Sequence, residues 1–172
     1  MLNAYTPADV EEENMYFETK TFVNDNPDCF ERTLQIGHVT ASGWVISPER
    51  DQVLLMHHRK LDRWFQPGGH CDGDPDVMHV AAKEVEEETG VRDFKLVHEG
   101  IFDVDVHLIP ANTKDPAHFH YDIRFLFEAD PNDELVINIE SKDVRWIAID
   151  EVQNHNDSES LMRMVRKTVR IS

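Results

Sequence analysis

The chain is short of cations, short of cysteine and free of long apolar runs, and each shortage argues against a class of protein. Only 17 Lys and Arg stand against 34 Asp and Glu in 172 residues, a formal net charge of −17. Nucleic-acid binding depends on Lys and Arg neutralising phosphates, so nucleic acid is not an expected partner. A small anionic substrate stays compatible with this charge if metal ions and a few local cations reverse the field at one site. The same charge also serves solubility. Cys29 and Cys71 are the only cysteines and make no disulfide framework, so a reducing cytoplasm is the expected compartment. No apolar run approaches the roughly 20 residues of a membrane helix, so no membrane partner is expected. Met1 to Glu13 is polar and acidic, unlike a signal peptide. Internal repeats, low-complexity tracts and Gly/Ser linkers are missing too. The length suits one domain over residues 1–172.

What is present reads as an α/β chain. Thr6 can cap a first helix, with Pro7 at its first position and an end near Phe22, inside an N-terminal helical extension over residues 1–30. Leu34 to Ile46 and Gln52 to Arg59 read as strands around the turn from Ser47 to Asp51. Asp103, Asp105 and His107 alternate with Phe102, Val104, Val106 and Leu108. His118, His120, Asp122 and Arg124 alternate in the same way with Phe119, Tyr121, Ile123 and Phe125, predicting a second hairpin. Leu135 to Ile139 and Val144 to Ile149 read as further strands. A C-terminal helix is expected over residues 158–170, with Leu161, Met164, Val165 and Val169 as its inward positions. Hairpins outnumber βαβ units, which predicts a mixed, largely antiparallel central sheet with helices on its faces.

The most informative stretch runs from Gly69 to Val91. It reads as a glycine turn, a short loop, a helix capped by Asp74 with Pro75 at its first position, and a stop at Gly90. Met78, Ala81, Ala82 and Val85 form the buried stripe. Glu84, Glu87 and Glu88 share another side, because residues three and four apart are neighbours on a helix. Three like charges so close repel each other, and a helix that keeps them points to a bound cation. Oxygen donors of this kind suit Mg²⁺ or Mn²⁺. The reaction that fits is attack of an activated water on a diphosphate. A solvated acidic helix face is the plain alternative.

Gly69, Glu84, Val85, Glu87, Glu88, Gly90 and Val91 fall in the register of the Nudix box, and the run from Trp64 to Gly69 is similar to the approach to that box. The chain therefore resembles the Nudix hydrolases from about His38 to Glu151. The resemblance implies an α/β/α sandwich and a metal-dependent pyrophosphohydrolase acting on a small, nucleoside-type diphosphate. It implies a metal-binding loop–helix–loop over residues 68–91, with Glu84, Glu87 and Glu88 as ligands and the Gly68 carbonyl as a further one. It also implies a late carboxylate acting as base or ligand, and Glu140 fits that place. The water would be oriented or deprotonated by Glu88 or Glu140, with Glu87 beside them. Glu140 can also be read as a loop surface residue.

Two positions depart from the box. Pro75 replaces its first glutamate, and Asp74 beside it either substitutes or caps the helix. Lys83 replaces its arginine, keeping the charge but losing the planar two-pronged contact. These departures keep open a Nudix-fold binding or regulatory module with little turnover. Cys71 in the metal loop raises a third reading, a diphosphate isomerase, although nothing else matches the isomerase cysteine motif.

Outside the box, Arg59 could reach a substrate phosphate or simply end a strand in solvent. His118, His120 and Asp122, with Asp103, Asp105 and His107, could line a substrate pocket, bind a transition metal or form a wet sheet face. Trp44, Trp64 and Trp146 read as core residues, and His38 could look into the pocket. A homodimer through a sheet edge or the N-terminal helix is compatible with the sequence.

Overall fold

β-Branched and aromatic residues in two-residue alternation build a sheet around one long parallel pair. The computed structural model describes residues 1–171. In chain order the elements are helix α1 (Val10–Asp25), strands β1 (Gly37–Ile46), β2 (Gln52–His58), β3 (Arg63–Phe65) and β4 (Gly68–His70), and helix α2 (Val77–Thr89). They continue with strands β5 (Phe94–Leu96), β6 (Asp103–Ile109), β7 (His118–Ala129) and β8 (Ser141–Ala148), then helices α3 (Val152–His155) and α4 (Glu159–Arg170). No helix among the described residues is long and apolar enough to cross a membrane.

β1 runs parallel to β7 from Gly37 opposite Phe119 to Ile46 opposite Glu128. The other pairings are antiparallel. Along β1 the side chains alternate between faces. Val39, Ala41 and Val45 join Ile123, Phe125 and Phe127 beneath Ala81 and Val85 of α2. On the other face Trp44 and Ile46 join Val53, Leu55 and Leu126 against Leu161, Met164 and Val165 of α4. The result is the expected α/β/α sandwich with a mixed, largely antiparallel sheet.

α1 has a particular task. Val104 N–H of β6 donates to Glu12 Oε1 (3.3 Å) and Val106 N–H meets Met15 Sδ (3.3 Å). The helix thus covers a sheet edge that would otherwise present unpaired amides.

Several expectations need correction. α1 starts at Val10, not at Pro7, because Asp9 is the cap: its carboxylate accepts the Glu12 N–H at 2.9 Å. Helix α2 is capped by Asp76, not Asp74. Asp76 Oδ1 accepts the His79 N–H at 3.1 Å, while Asp74 Oδ1 accepts the Asp76 N–H at 2.9 Å and closes the turn before it. Leu135 to Ile139 is no strand. Its Val136 N–H donates to the Thr89 carbonyl at the end of α2 (2.8 Å), which docks the segment as a loop with Val136, Ile137 and Ile139 exposed. Val169 faces outward from α4 at 60% exposure. Gly90, in the left-handed region at φ 80°, ends α2 as expected.

Candidate active site

α2 and the turn before β4 assemble the carboxylate face. Glu84 is half-buried, Glu87 exposed and Glu88 buried. Gly68 N–H donates to Glu88 Oε2 at 2.8 Å, which ties the helix to the strand that carries the glycines. Gly69 is needed for space: a Cβ there would lie 2.5 Å from Glu84 Oε1. The glycine turn and the carboxylates of Glu84 and Glu88 therefore meet directly. Lys83, in the position of the box arginine, pairs with Glu87 at 3.6 Å along the helix.

The electrostatics follow from this crowding. Burial pushes the Glu88 carboxyl up to about 8, helped by Glu84, Glu140 and Glu87 and opposed by the Gly68 N–H. Glu84 is raised by burial and then by Glu87 and Glu140. A cation beside them would favour their charged form. Among the described residues only Lys83 ion-pairs with the trio, so its chemistry fits a hard divalent ion.

Glu140 reaches this field from the other side. Its loop is held by Asn138, whose Oδ1 accepts the Glu140 N–H (2.8 Å) and whose Nδ2 donates to the Glu87 carbonyl (3.4 Å). Arg59 holds the same loop: Nε donates to the Ile139 carbonyl (3.0 Å) and Nη2 to the Ser141 carbonyl (2.7 Å). Its guanidinium is thus engaged with backbone. The cation that the sequence reading missed is Arg32. It pairs with Asp72 in the turn after Cys71 and lies within the fields of Glu84 and Glu140. Nothing periodic around Arg32 marks it, because the turn that brings Asp72 to it is 40 residues away.

The hairpin face converges as its alternation predicts, with Asp105 opposite Asp122 and His107 opposite His120. It is not a wet face. Asp103, Asp105 and Asp122 are buried, the first two against Arg163 of α4. Asp122 accepts from Thr40 Oγ1 (3.0 Å), Ser42 Oγ (2.8 Å) and Arg124 Nε (2.8 Å), so its oxygens are taken within the fold. Arg163 donates to Asp103 and Asp105, each at 2.9 Å, and Lys167 Nζ lies 2.9 Å from Asp103. His118 and His120 gather instead with His38 on β1.

Cys71 is buried, and burial with the nearby Asp122, Asp74 and Asp72 pushes its thiol up to about 12. A thiol so reluctant to ionise makes a poor nucleophile, which removes the support for the isomerase reading. Trp44 is core, its indole N–H donating to Thr168 Oγ1 at 2.8 Å.

No curated protein matches the sequence. Solved structures similar to the chain include a binary complex of the C. elegans Ap4A hydrolase, with 17% identity and a TM-score of 0.63 over 77% of this chain and 96% of that one. The E. coli dihydroneopterin triphosphate pyrophosphohydrolase is similar at 14% identity and a TM-score of 0.60, over 78% and 96% of the two chains. The NUDIX domain of Shewanella oneidensis NrtR, complexed with ADP ribose, is similar at 16% identity and 0.57, over 90% and 99%. At these identities the likeness shows the fold. The family model of the NUDIX domain matches residues 37–167, most of the chain. With the carboxylate helix and its glycine turn folded as the box requires, the chain belongs to the NUDIX family and is a Nudix-type hydrolase of pyrophosphate bonds.

Proposed function

We propose that the enzyme cleaves the phosphate–phosphate linkage of a small diphosphate joined to an organic, nucleoside-type group, with Mg²⁺ or Mn²⁺ at the box. The observation that carries this reading is the meeting of Glu84 and Glu88 with the Gly68–Gly69 turn, with Glu87 one residue away on the same helix and a single lysine ion-paired to it. These carboxylates and the Gly68 carbonyl would hold the ion. When bound, such an ion neutralises phosphate oxygens and makes a coordinated water more acidic.

The chain's own residues supply the rest. Glu140 orients the attacking water and accepts its proton at a carboxylate oxygen. The new bond forms from water oxygen to phosphorus, and the bridging oxygen leaves on the second phosphate with the bonding electrons. Arg59 and Asn138 position Glu140 by holding its backbone. Arg32 reaches phosphate oxygens, exchanging its contact with Asp72 for the substrate. The similar structures named for Ap4A, dihydroneopterin triphosphate and ADP ribose support the substrate class, since each compound carries a phosphate–phosphate linkage.

The test is a panel of dinucleoside polyphosphates, nucleoside triphosphates and nucleotide sugars incubated with Mg²⁺ or Mn²⁺, with products identified by mass. Cleavage between phosphorus atoms is expected, stopped by a chelator and reduced at least about 100-fold in Glu87→Gln. Cleavage that survives both treatments would refute the reading.

A further inference from the structure

A second cluster of donors lies outside the box, where β1 and β7 begin. His38 on β1 and His120 on β7 are register partners, with their Nε2 atoms 3.1 Å apart. One ligand nitrogen from each of His38, His118 and His120 lies within 4.8 Å of the others. His118 Nδ1 faces the Pro116 carbonyl at 2.8 Å. A carbonyl only accepts, so Nδ1 carries the proton and Nε2 keeps a lone pair. This arrangement commonly fixes the tautomer of a metal-binding histidine. His38 Nδ1 is buried with no hydrogen-bond partner of good geometry, and the Leu34 carbonyl favours a proton on that ring. Two more imidazoles flank the group. The His70 ring lies 4.9 Å from that of His38, and the His107 ring 5.5 Å from that of His120.

Five imidazoles packed against one another have no ordinary structural use. Burial, and then the neighbouring histidines, push His120 down to about 2; burial also lowers His38. A neutral imidazole nitrogen with a free lone pair, as His118 Nε2 has, is the form that ligates a metal. We propose that His38, His118 and His120 bind a zinc-class transition-metal ion through three imidazole nitrogens, at a site separate from the carboxylates of α2. Nitrogen donors favour such an ion over the hard cations suited to the box, so the two sites select different metals. Zn–N bonds of about 2.0–2.1 Å place tetrahedral ligand atoms roughly 3.3 Å apart, close to the His38–His120 separation. Three protein ligands would leave a fourth position for water or another ligand.

The test strips the full chain with a chelator and titrates it with Zn²⁺ or Co²⁺ alone. Bound metal is counted by mass spectrometry, and the Co²⁺ visible spectrum is recorded on the native protein. With excess Mg²⁺ added to occupy the carboxylate site, the expected result is one Co²⁺ or Zn²⁺ per chain with the intense spectrum of four-coordinate, nitrogen-ligated Co²⁺, retained in Glu87→Gln. In His38→Gln and His120→Gln, checked for native circular dichroism, affinity falls by more than about 100-fold, beyond the usual cost of losing an outer-shell partner. A native protein that takes up neither metal, or a six-coordinate Co²⁺ spectrum, would overturn the proposal. So would binding that disappears with Glu87 and persists without the histidines.

Discussion

Two groups of three carboxylates lie on opposite sides of one sheet, and their environments drive them in opposite directions. On α2, Glu84 is raised by burial and by Glu87, and Glu88 by burial and by Glu84. Beneath α4, burial acts on Asp103 and Asp105 in the same sense, but Arg163 and Arg124 overcome it and hold both well below the usual carboxylate range. The difference is the supply of cations. Arg124, Arg163 and Lys167 satisfy the aspartates from within the fold, so that cluster needs nothing from solution. The glutamates have Lys83 as their ion-pair partner among the described residues, and Lys83 touches Glu87 alone. Paired acids of this kind are part of the structure; crowded acids left underpaired point to chemistry.

The largest effect that would sharpen this contrast is in Arg163→Met. Removing one partner from a buried pair leaves uncompensated charge, so unfolding in urea should show a loss of about 3–5 kcal/mol, with turnover per folded molecule unchanged. A variant as stable as the native chain would break the contrast. Acid should act through the same cluster. The folded-state pKa values of Asp103 and Asp105 are lowered, whereas the unfolded chain takes up protons near pH 4. Their stabilisation is therefore complete above about pH 4 and is lost as the pH falls further, which thermal melts across an acid series would show.

Gly69→Ala should come next. The added Cβ meets the mobile end of Glu84, so stability changes little while the carboxylate is displaced. Turnover should fall by about tenfold to a hundredfold, the scale of a misplacement near 1 Å. Unaltered kinetics would show that Glu84 is not positioned for the reaction. The smallest effect is in Glu84→Gln without metal. Relieving like-charge repulsion along a helix should raise stability by about 0.5 kcal/mol, opposite in sign to the Arg163 variant. A destabilised variant in chelator would mean that the carboxylates are not in conflict.

Much of the carboxylate face was legible because it is local. Glu84, Glu87 and Glu88 belong to one helix, and Gly68 to the turn just before it, so spacing alone brings them together. The β6–β7 alternation was legible for the same reason, since period two needs only neighbouring residues. The occupation of Asp122 was only half legible: Arg124 is its neighbour two residues on along β7, but Thr40 and Ser42 meet it through a parallel pairing with β1 that no local pattern encodes. His38 joins His118 and His120 through that same register. The apolar run from Leu135 to Ile139 has strand composition, yet it docks on the end of α2. The helix cap moved from Asp74 to Asp76 because two aspartates flank Pro75 and only their hydrogen bonds distinguish them.

The most direct test of the central claim is a Mn²⁺ titration followed by the electron paramagnetic resonance of free Mn²⁺. Native chain, a Glu87→Gln/Glu88→Gln double variant and Arg163→Met would be compared under conditions where all are folded. The account predicts that the native chain and Arg163→Met bind Mn²⁺ alike and that the double variant loses that binding. Equal binding by the double variant would contradict it, because the crowded carboxylates of α2 would then not be what holds the cation.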